Sequence, residues 1–429
     1  MPSWLLSVHI DRAPFLVVLY AIAAAFVLAL IVRRPTRRWI RTSLIGVLAG
    51  GGIGYLAVWL TSDVFDTFGL PLTDVTTMWV TLGGAGIGLA VVNLWRSRLW
   101  RKVVAVVGVA VFVTTIAAGI NVDFGAYPNL RDVLFTNPYP AASAHQLDQH
   151  AEPLQADLAA VWQAPTGMPR TGQVRSVDIP ATTSHFAARN GEVYLPPAAL
   201  TKNPPALPVI EMMSGQPGFP AEMFTLGRTE VVLDAYAAQH HGLAPIVVVP
   251  DQLGNAGQNP MCVNSPLGNS ATYLTVDVPR WINSHLHVAT GPSEWAVAGF
   301  SQGATCAMQF GAADPTLFGS ILSISGELEP TIGADTVAKA FHGSVAAYDQ
   351  AKPITVMKEN APYSHSFAIF GVGSKDAKYT AFQRTTMAAA TAAGMTTQWI
   401  SVPGSSHDWN TVRYVMKSAL PTLADRMGL

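Results

Sequence analysis

The sequence is short of charge and of cysteine. Only 12% of its 429 residues are Asp, Glu, Lys or Arg, 50% are hydrophobic, and the mean hydropathy of +0.29 is too apolar for an ordinary water-soluble chain of this length. Its two cysteines are too few for a disulfide-built scaffold. A formal net charge of −1 offers no broad basic surface, and no nucleic-acid partner is expected.

The apolar excess lies almost wholly before residue 121, in four runs at 14–32, 42–60, 76–95 and 103–120. Each approaches the roughly 20 helical residues that cross a hydrocarbon core of about 30 Å. None contains Asp, Glu, Lys, Arg or His, whereas transporters and proton pumps place ionisable groups inside their spans. Four transmembrane helices acting as an anchor or platform are therefore expected, with a role in holding a lipid substrate left open. Glycine clusters at 50–54 and 83–88 fall inside these runs, where Gly50 with Gly54 and Gly84 with Gly88 have the spacing of closely packed membrane helices, not of a nucleotide loop.

Charge between the runs sets an orientation. Arg33, Arg34, Arg37, Arg38 and Arg41 follow the first run, and Arg96, Arg98, Arg101 and Lys102 follow the third, so both loops are expected on the cytoplasmic side. The loop with Asp63, Asp66 and Asp74, the amino terminus and everything after residue 120 are then extracytoplasmic, in the plasma membrane as a multi-pass protein. A cleaved signal peptide is the competing reading of the first run, but its positive charges follow the apolar stretch instead of preceding it.

Residues 121–172 turn polar and Pro-rich, as a connector would, although 123–135 keep enough apolar side chains to lie on a surface. Residues 173–429 suffice for one sizeable domain. Short apolar, β-branched runs at 174–179, 192–195, 207–213, 245–249, 295–298, 320–325, 366–370 and 397–402 predict strands. Helical patterns at 221–238, 271–287, 302–312, 377–393 and 408–427 fall between most of them. Buried strands separated by helices describe a mostly parallel sheet covered on both faces.

The fifth strand ends in W-A-V-A-G-F-S-Q-G, a Gly-x-Ser-x-Gly pattern with Ser301 at its centre. Such a pattern turns a strand into a helix so sharply that the serine stands at the carboxyl edge of the sheet, over the positive end of the next helix. The motif is short enough to recur by chance, so its partners decide. His407, in V-P-G-S-S-H-D-W after the last strand, stands where a general base belongs, with a surface-loop histidine as its alternative. His365 precedes a strand and so falls on the wrong edge. Asp376, in the loop after F-A-I-F, is the expected acid, or a helix N-cap. Asp408 adjoins His407 too closely to face it, and Asp349 and Glu359 lie in a segment, 327–359, whose path the sequence does not give. The backbone N–H of Gln302, and that of Gln216 in M-S-G-Q-P-G-F-P, are the expected oxyanion donors, although S-G-Q-P-G also suits a plain turn. Cys262 and Cys306 form an even pair in the part placed outside, which suggests a disulfide; a buried free Cys306 is the alternative.

The stretch W-A-V-A-G-F-S-Q-G-A-T-C-A-M-Q-F through S-G-E-L-E-P resembles the serine-elbow region of the esterase D-like family, which includes the antigen 85 mycolyltransferases of mycolate-bearing actinobacteria. T-Y-L-T-V-D-V-P-R-W-I and P-G-S-S-H-D-W are similar to the same group, and four spans ahead of such a domain resemble its membrane-anchored esterase branch. The resemblance implies an α/β-hydrolase fold over about 172–429, acting on acyl esters or envelope lipids through an acyl-enzyme with no metal or organic cofactor. It makes Ser301 the nucleophile, His407 the base and Asp376 the acid. The mycolyltransferases carry Glu as the acid, and S-G-Q-P-G-F-P lacks the charged residues of their trehalose loop. Ester hydrolysis, acyl transfer to a sugar or glycolipid hydroxyl, and a catalytically silent envelope scaffold are the three readings to separate.

Overall fold

A computed structural model describes residues 3–65, 72–134, 136–142, 150–156 and 158–429; Asp66, Phe135 and parts of the Pro-rich stretch lie outside the described residues. The chain folds as two compact units, residues 1–136 and 137–429.

The first unit contains α1 (Phe15–Ile31), α2 (Arg37–Trp59), α3 (Asp74–Asn93) and α4 (Leu99–Phe124). Three helices, α2 with its π-turn to Val64, α3 and α4, are long and apolar enough to cross a membrane. The expected fourth is a shorter apolar helix. At 17 residues, α1 rises about 25 Å, because Val32 leaves helical geometry (ψ 97) just before the paired arginines. Close packing of α2 on α3 depends on glycine: a Cβ on Gly50 would lie 2.2 Å from the Gly84 carbonyl oxygen, and one on Gly88 2.0 Å from that of Gly46. Away from that seam Leu44, Ile45, Leu48, Val103 and Val106 turn outward, an apolar belt that water would not favour.

In the second unit the strands are β1 (Gln173–Val177), β2 (Gly191–Leu195), β3 (Val209–Met213), β4 (Ile246–Val249), β5 (Trp295–Phe300), β6 (Ser320–Ile324), β7 (Phe367–Gly373) and β8 (Thr396–Val402). They form one sheet in the order β1-β2-β4-β3-β5-β6-β7-β8, parallel from β4 through β8 and antiparallel at β1 and β2. β2 through β7 are buried along their whole length, so both faces need cover. On one face lie α6 (Val278–His285), α7 (Gln302–Ala313) and the apolar side of α11 (Ala377–Ala392). The other is covered by α5 (Thr229–Gln239) and α12 (Trp409–Arg426).

Two expected helices are interrupted. The pattern at 221–238 breaks into Glu222–Thr225 and α5, because Arg228 takes a left-handed φ of 52° and Gly227 passes against the Met223 carbonyl. The pattern at 271–287 ends at His285 and widens into a π-turn at Tyr273–Asp277 ahead of Pro279, whose missing N–H is harmless in a first turn. The segment 327–359 forms α8 (Thr336–Ala340), α9 (Val345–Gln350) and α10 (Pro353–Asn360), and α10 packs on α7 and α11. Within 137–172, Pro140 accepts from the Ser176 N–H and Ala142 donates to the Ser176 carbonyl, which extends the sheet beyond β1.

Two glutamates are buried in the sheet. Glu192 on β2 accepts from the Asn137 side chain at 2.7 Å, and burial pushes its carboxyl from 4.5 up to about 8. Glu211, in the middle of β3, has no partner for either oxygen among the described residues, and burial pushes it well above the usual range. A raised acid keeps its proton in the folded chain after the unfolded chain has lost it, so stability falls as pH rises from about 4.5 to about 8. Glu192→Gln is expected to flatten that decline in the denaturant midpoint between pH 5 and 8, removing up to about 1 kcal/mol per pH unit. An unchanged slope would show that Glu192 is ionised in the fold.

Candidate active site

Ser301 follows β5 directly and opens α7, with φ 55° and ψ −118°, a conformation L-residues rarely adopt. The flanking glycines make the turn fit. A Cβ on Gly299 would fall 2.1 Å from the Gly303 carbonyl oxygen, and one on Gly303 would fall 2.4 Å from that of Ser214. Since the Ser301 N–H donates to the Ile324 carbonyl at 2.9 Å, the backbone is held while the hydroxyl stays free to turn.

That hydroxyl lies 2.9 Å from His407 Nε2, and His407 Nδ1 lies 3.1 Å from Asp376 Oδ2. The arrangement assigns the tautomer: Nδ1–H donates to the carboxylate, and Nε2 accepts from the serine. His407 is packed between the rings of Tyr379 and Phe300, at centroid distances of 4.1 and 4.9 Å. Asp376 is 1% exposed, and its two oxygens do different things. While Oδ2 faces His407, Oδ1 accepts from the Tyr379 N–H at 3.1 Å and caps α11. One side chain thus both contacts His407 and caps α11. Asp408 caps α12 and accepts from Ser405 Oγ and the Ser406 N–H, which fixes the loop carrying His407. His365 lies at the opposite edge, ahead of β7, where its carbonyl accepts from Arg426. Asp349 pairs with Lys352, and Glu359 accepts from Gln350; neither reaches His407.

Beside the serine runs the loop after β3. Gly215 comes so close that a Cβ there would sit 3.6 Å from Ser301 Cβ. Among the described residues no protein acceptor takes the N–H of Gln216 or of Gln302. The loop after β3 and the start of α7 are joined by a buried network that the sequence pattern does not announce. Gln252 Nε2 donates to the Ser214 carbonyl at 2.7 Å and approaches Gln302 Oε1 at 3.2 Å. Gln302 Nε2 in turn reaches Asn259 Oδ1 and Cys306 Sγ, each at 3.2 Å. Cys262 and Cys306 are joined, with Cα atoms 5.5 Å apart. Next to Gln252, Asp251 is fully buried and takes a two-pronged contact from Arg189 at 2.7 and 2.9 Å, while Arg189 also donates to the Gly218 carbonyl. A Pro-Asp-Gln at the carboxyl end of β4 was the only local sign of these anchors. Gln252→Leu is expected to lower kcat on an ester by about tenfold with KM little changed, because it loosens donors that matter in the transition state. Equal effects on kcat and on thermal stability of the binding-competent fold would refute that role.

A serine at a strand-to-helix elbow, a histidine within hydrogen-bond reach of it and a mostly parallel sheet covered on both faces define a hydrolase of the α/β-hydrolase fold. Residues 184–418 match the family described as "Putative esterase", and the chain belongs to it. It is also 30% identical over 444 residues to an uncharacterized protein of Corynebacterium glutamicum, with all of both chains covered. Among solved structures it is similar to a ferulic acid esterase at 17% identity and TM-score 0.51, over 62% of this chain and 100% of that one. An S-formylglutathione hydrolase from Agrobacterium tumefaciens aligns at 18% identity and TM-score 0.49, over 62% and 99%.

Proposed function

We propose that the protein is a membrane-anchored serine ester hydrolase whose catalytic unit works outside the cytoplasm. His407 Nε2 takes the proton of Ser301 as its oxygen attacks the ester carbonyl. Asp376 stabilises the imidazolium, and the N–H groups of Gln216 and Gln302 hold the oxyanion. Collapse of that intermediate, with the His407 proton passing to the leaving alcohol, gives an acyl-enzyme, and water activated by His407 releases the acid. The observation that carries this reading is the unbroken chain of contacts from Ser301 Oγ through His407 to Asp376, at 2.9 and 3.1 Å.

The sidedness argument rests on the last helix. α4 has Arg96 and Arg98 just before it and Arg101 and Lys102 in its first turn, and its last turn holds Asp123, which accepts from the hydroxyls of Thr73 and Thr76. Basic residues favour the cytoplasmic end, so whatever follows α4 lies outside, whether or not the shorter α1 also crosses. Residues 1–120 then serve as the anchor and 173–429 as the esterase domain, with 121–172 between them.

A membrane-impermeant fluorophosphonate tests both halves. Labelling at Ser301 in intact cells is expected, and labelling only after lysis would reverse the orientation. No labelling of the purified, folded protein beside a reactive esterase control would overturn the catalytic reading. Short acyl esters supplied with and without a sugar acceptor then separate hydrolysis from transfer, because a transferase would form acyl sugar at the expense of free acid.

A further inference from the structure

At the end of the first unit that carries its arginines, a cavity of about 630 Å³ opens between the residues after α1, the start of α2 and the end of α3. Arg33, Arg34, Arg38 and Arg96 line it, together with Trp39 and Trp95. Arg33 is fixed in place. Its guanidinium donates to the Arg96 carbonyl at 3.2 Å and lies 4.9 Å from the centre of the Trp39 ring. Among the described residues, the guanidinium groups of Arg34, Arg38 and Arg96 make no ion pair or hydrogen bond.

Among the described residues of the first unit, no ion pair neutralises this group. The sequence has no Asp or Glu between Asp11 and Asp63, nor between Asp74 and Asp123. Asp63 lies 25 residues along from Arg38, about 35 Å away at helical rise. Four like charges around one cavity repel one another unless an anion sits among them, and planar guanidinium forks suit phosphate oxygens. Thr36, the N-cap of α2, directs the positive end of that helix to the same place.

Resting on the membrane reading above, we propose that this cavity binds the phosphate headgroup of an anionic lipid from the cytoplasmic leaflet. Lipid chemistry is favoured over a free phosphate by what borders the arginines. Tryptophans are the residues of the headgroup level, and Leu44, Ile45 and Leu48 continue from the cavity along the outward face of α2, where acyl chains could lie. Basic pockets between spans on the cytoplasmic side take such headgroups.

The test uses the full-length protein in neutral detergent, with native mass spectrometry of added phosphatidylglycerol, phosphatidylcholine or inorganic phosphate. One phosphatidylglycerol is expected to bind saturably, with phosphatidylcholine about tenfold weaker or more. Arg34→Gln with Arg38→Gln should weaken phosphatidylglycerol by about tenfold, while Arg98→Gln with Lys102→Gln, which removes the same charge outside the cavity, leaves it within about twofold. Circular dichroism checks the fold of both variants. Equal losses in the two variants, or equal binding of phosphatidylcholine, would overturn the proposal. So would inorganic phosphate that competes at the affinity of the lipid, since the ligand would then be a soluble anion. Carbonate extraction of membranes keeps the two readings apart: protein that resists extraction but binds no lipid defeats only this proposal, and protein that is stripped defeats the membrane reading as well.

Discussion

Replacing Ser301 with alanine is expected to abolish fluorophosphonate labelling and to lower kcat on a short acyl ester by about a millionfold. The serine hydroxyl lies 2.9 Å from His407 Nε2, so its loss removes the proposed covalent route itself. His407→Ala should cost about as much, and the double variant little more, because nucleophile and base act as one unit. The residual rate would come from the oxyanion donors and binding alone. Alanine at a φ of 55° adds strain little different from that of serine, and circular dichroism should show an unaltered fold. Retention of hydrolysis by Ser301→Ala in a homogeneous preparation would exclude Ser301 as the nucleophile.

Asp376→Asn is expected to lower kcat by about ten-thousandfold while KM changes little. The size of this effect follows from the double use of the carboxylate. Capping α11 requires an oxygen toward the Tyr379 N–H, so the asparagine carbonyl must stay there. Its NH2 group then faces His407 Nδ1, where Asp376 Oδ2 had accepted a hydrogen bond. An imidazole that accepts at Nδ1 carries its proton on Nε2 and cannot take one from serine. The measurement is kcat against KM over a pH series. Near-normal activity would mean that another acid orients His407.

Much of this was legible because burial leaves a simple trace. Runs such as Ile246–Val249 and Trp295–Phe300 are apolar on both faces, so period and length alone mark them as covered strands. That Ser301, His407 and Asp376 come within hydrogen-bond reach was legible because chain order and strand ends are fixed by the sheet. What escaped depends on contacts distant in sequence. Gln252 is an ordinary polar residue after a strand until folding places it between Ser214 and Gln302. The helices at 336–360 are each eight residues or fewer, and the longest, α10, packs on α7 and α11, so local pattern carries little of their stability. Conversely, α1 had the composition of a span, and only its end at Val32 revealed the shorter length.

The amide of Gln252 touches the Ser214 carbonyl and the Gln302 side chain, on the two segments that flank Ser301, and the far end of the same network includes Cys306. Damage to the loop that bears Cys262 would thus reach the reaction centre without touching a reacting group. Variants there would be mistaken for poor folders in a screen that scores turnover alone, yet a screen that scores abundance would pass them. Separating those two measurements is what would distinguish a weakened scaffold from a misaligned transition state.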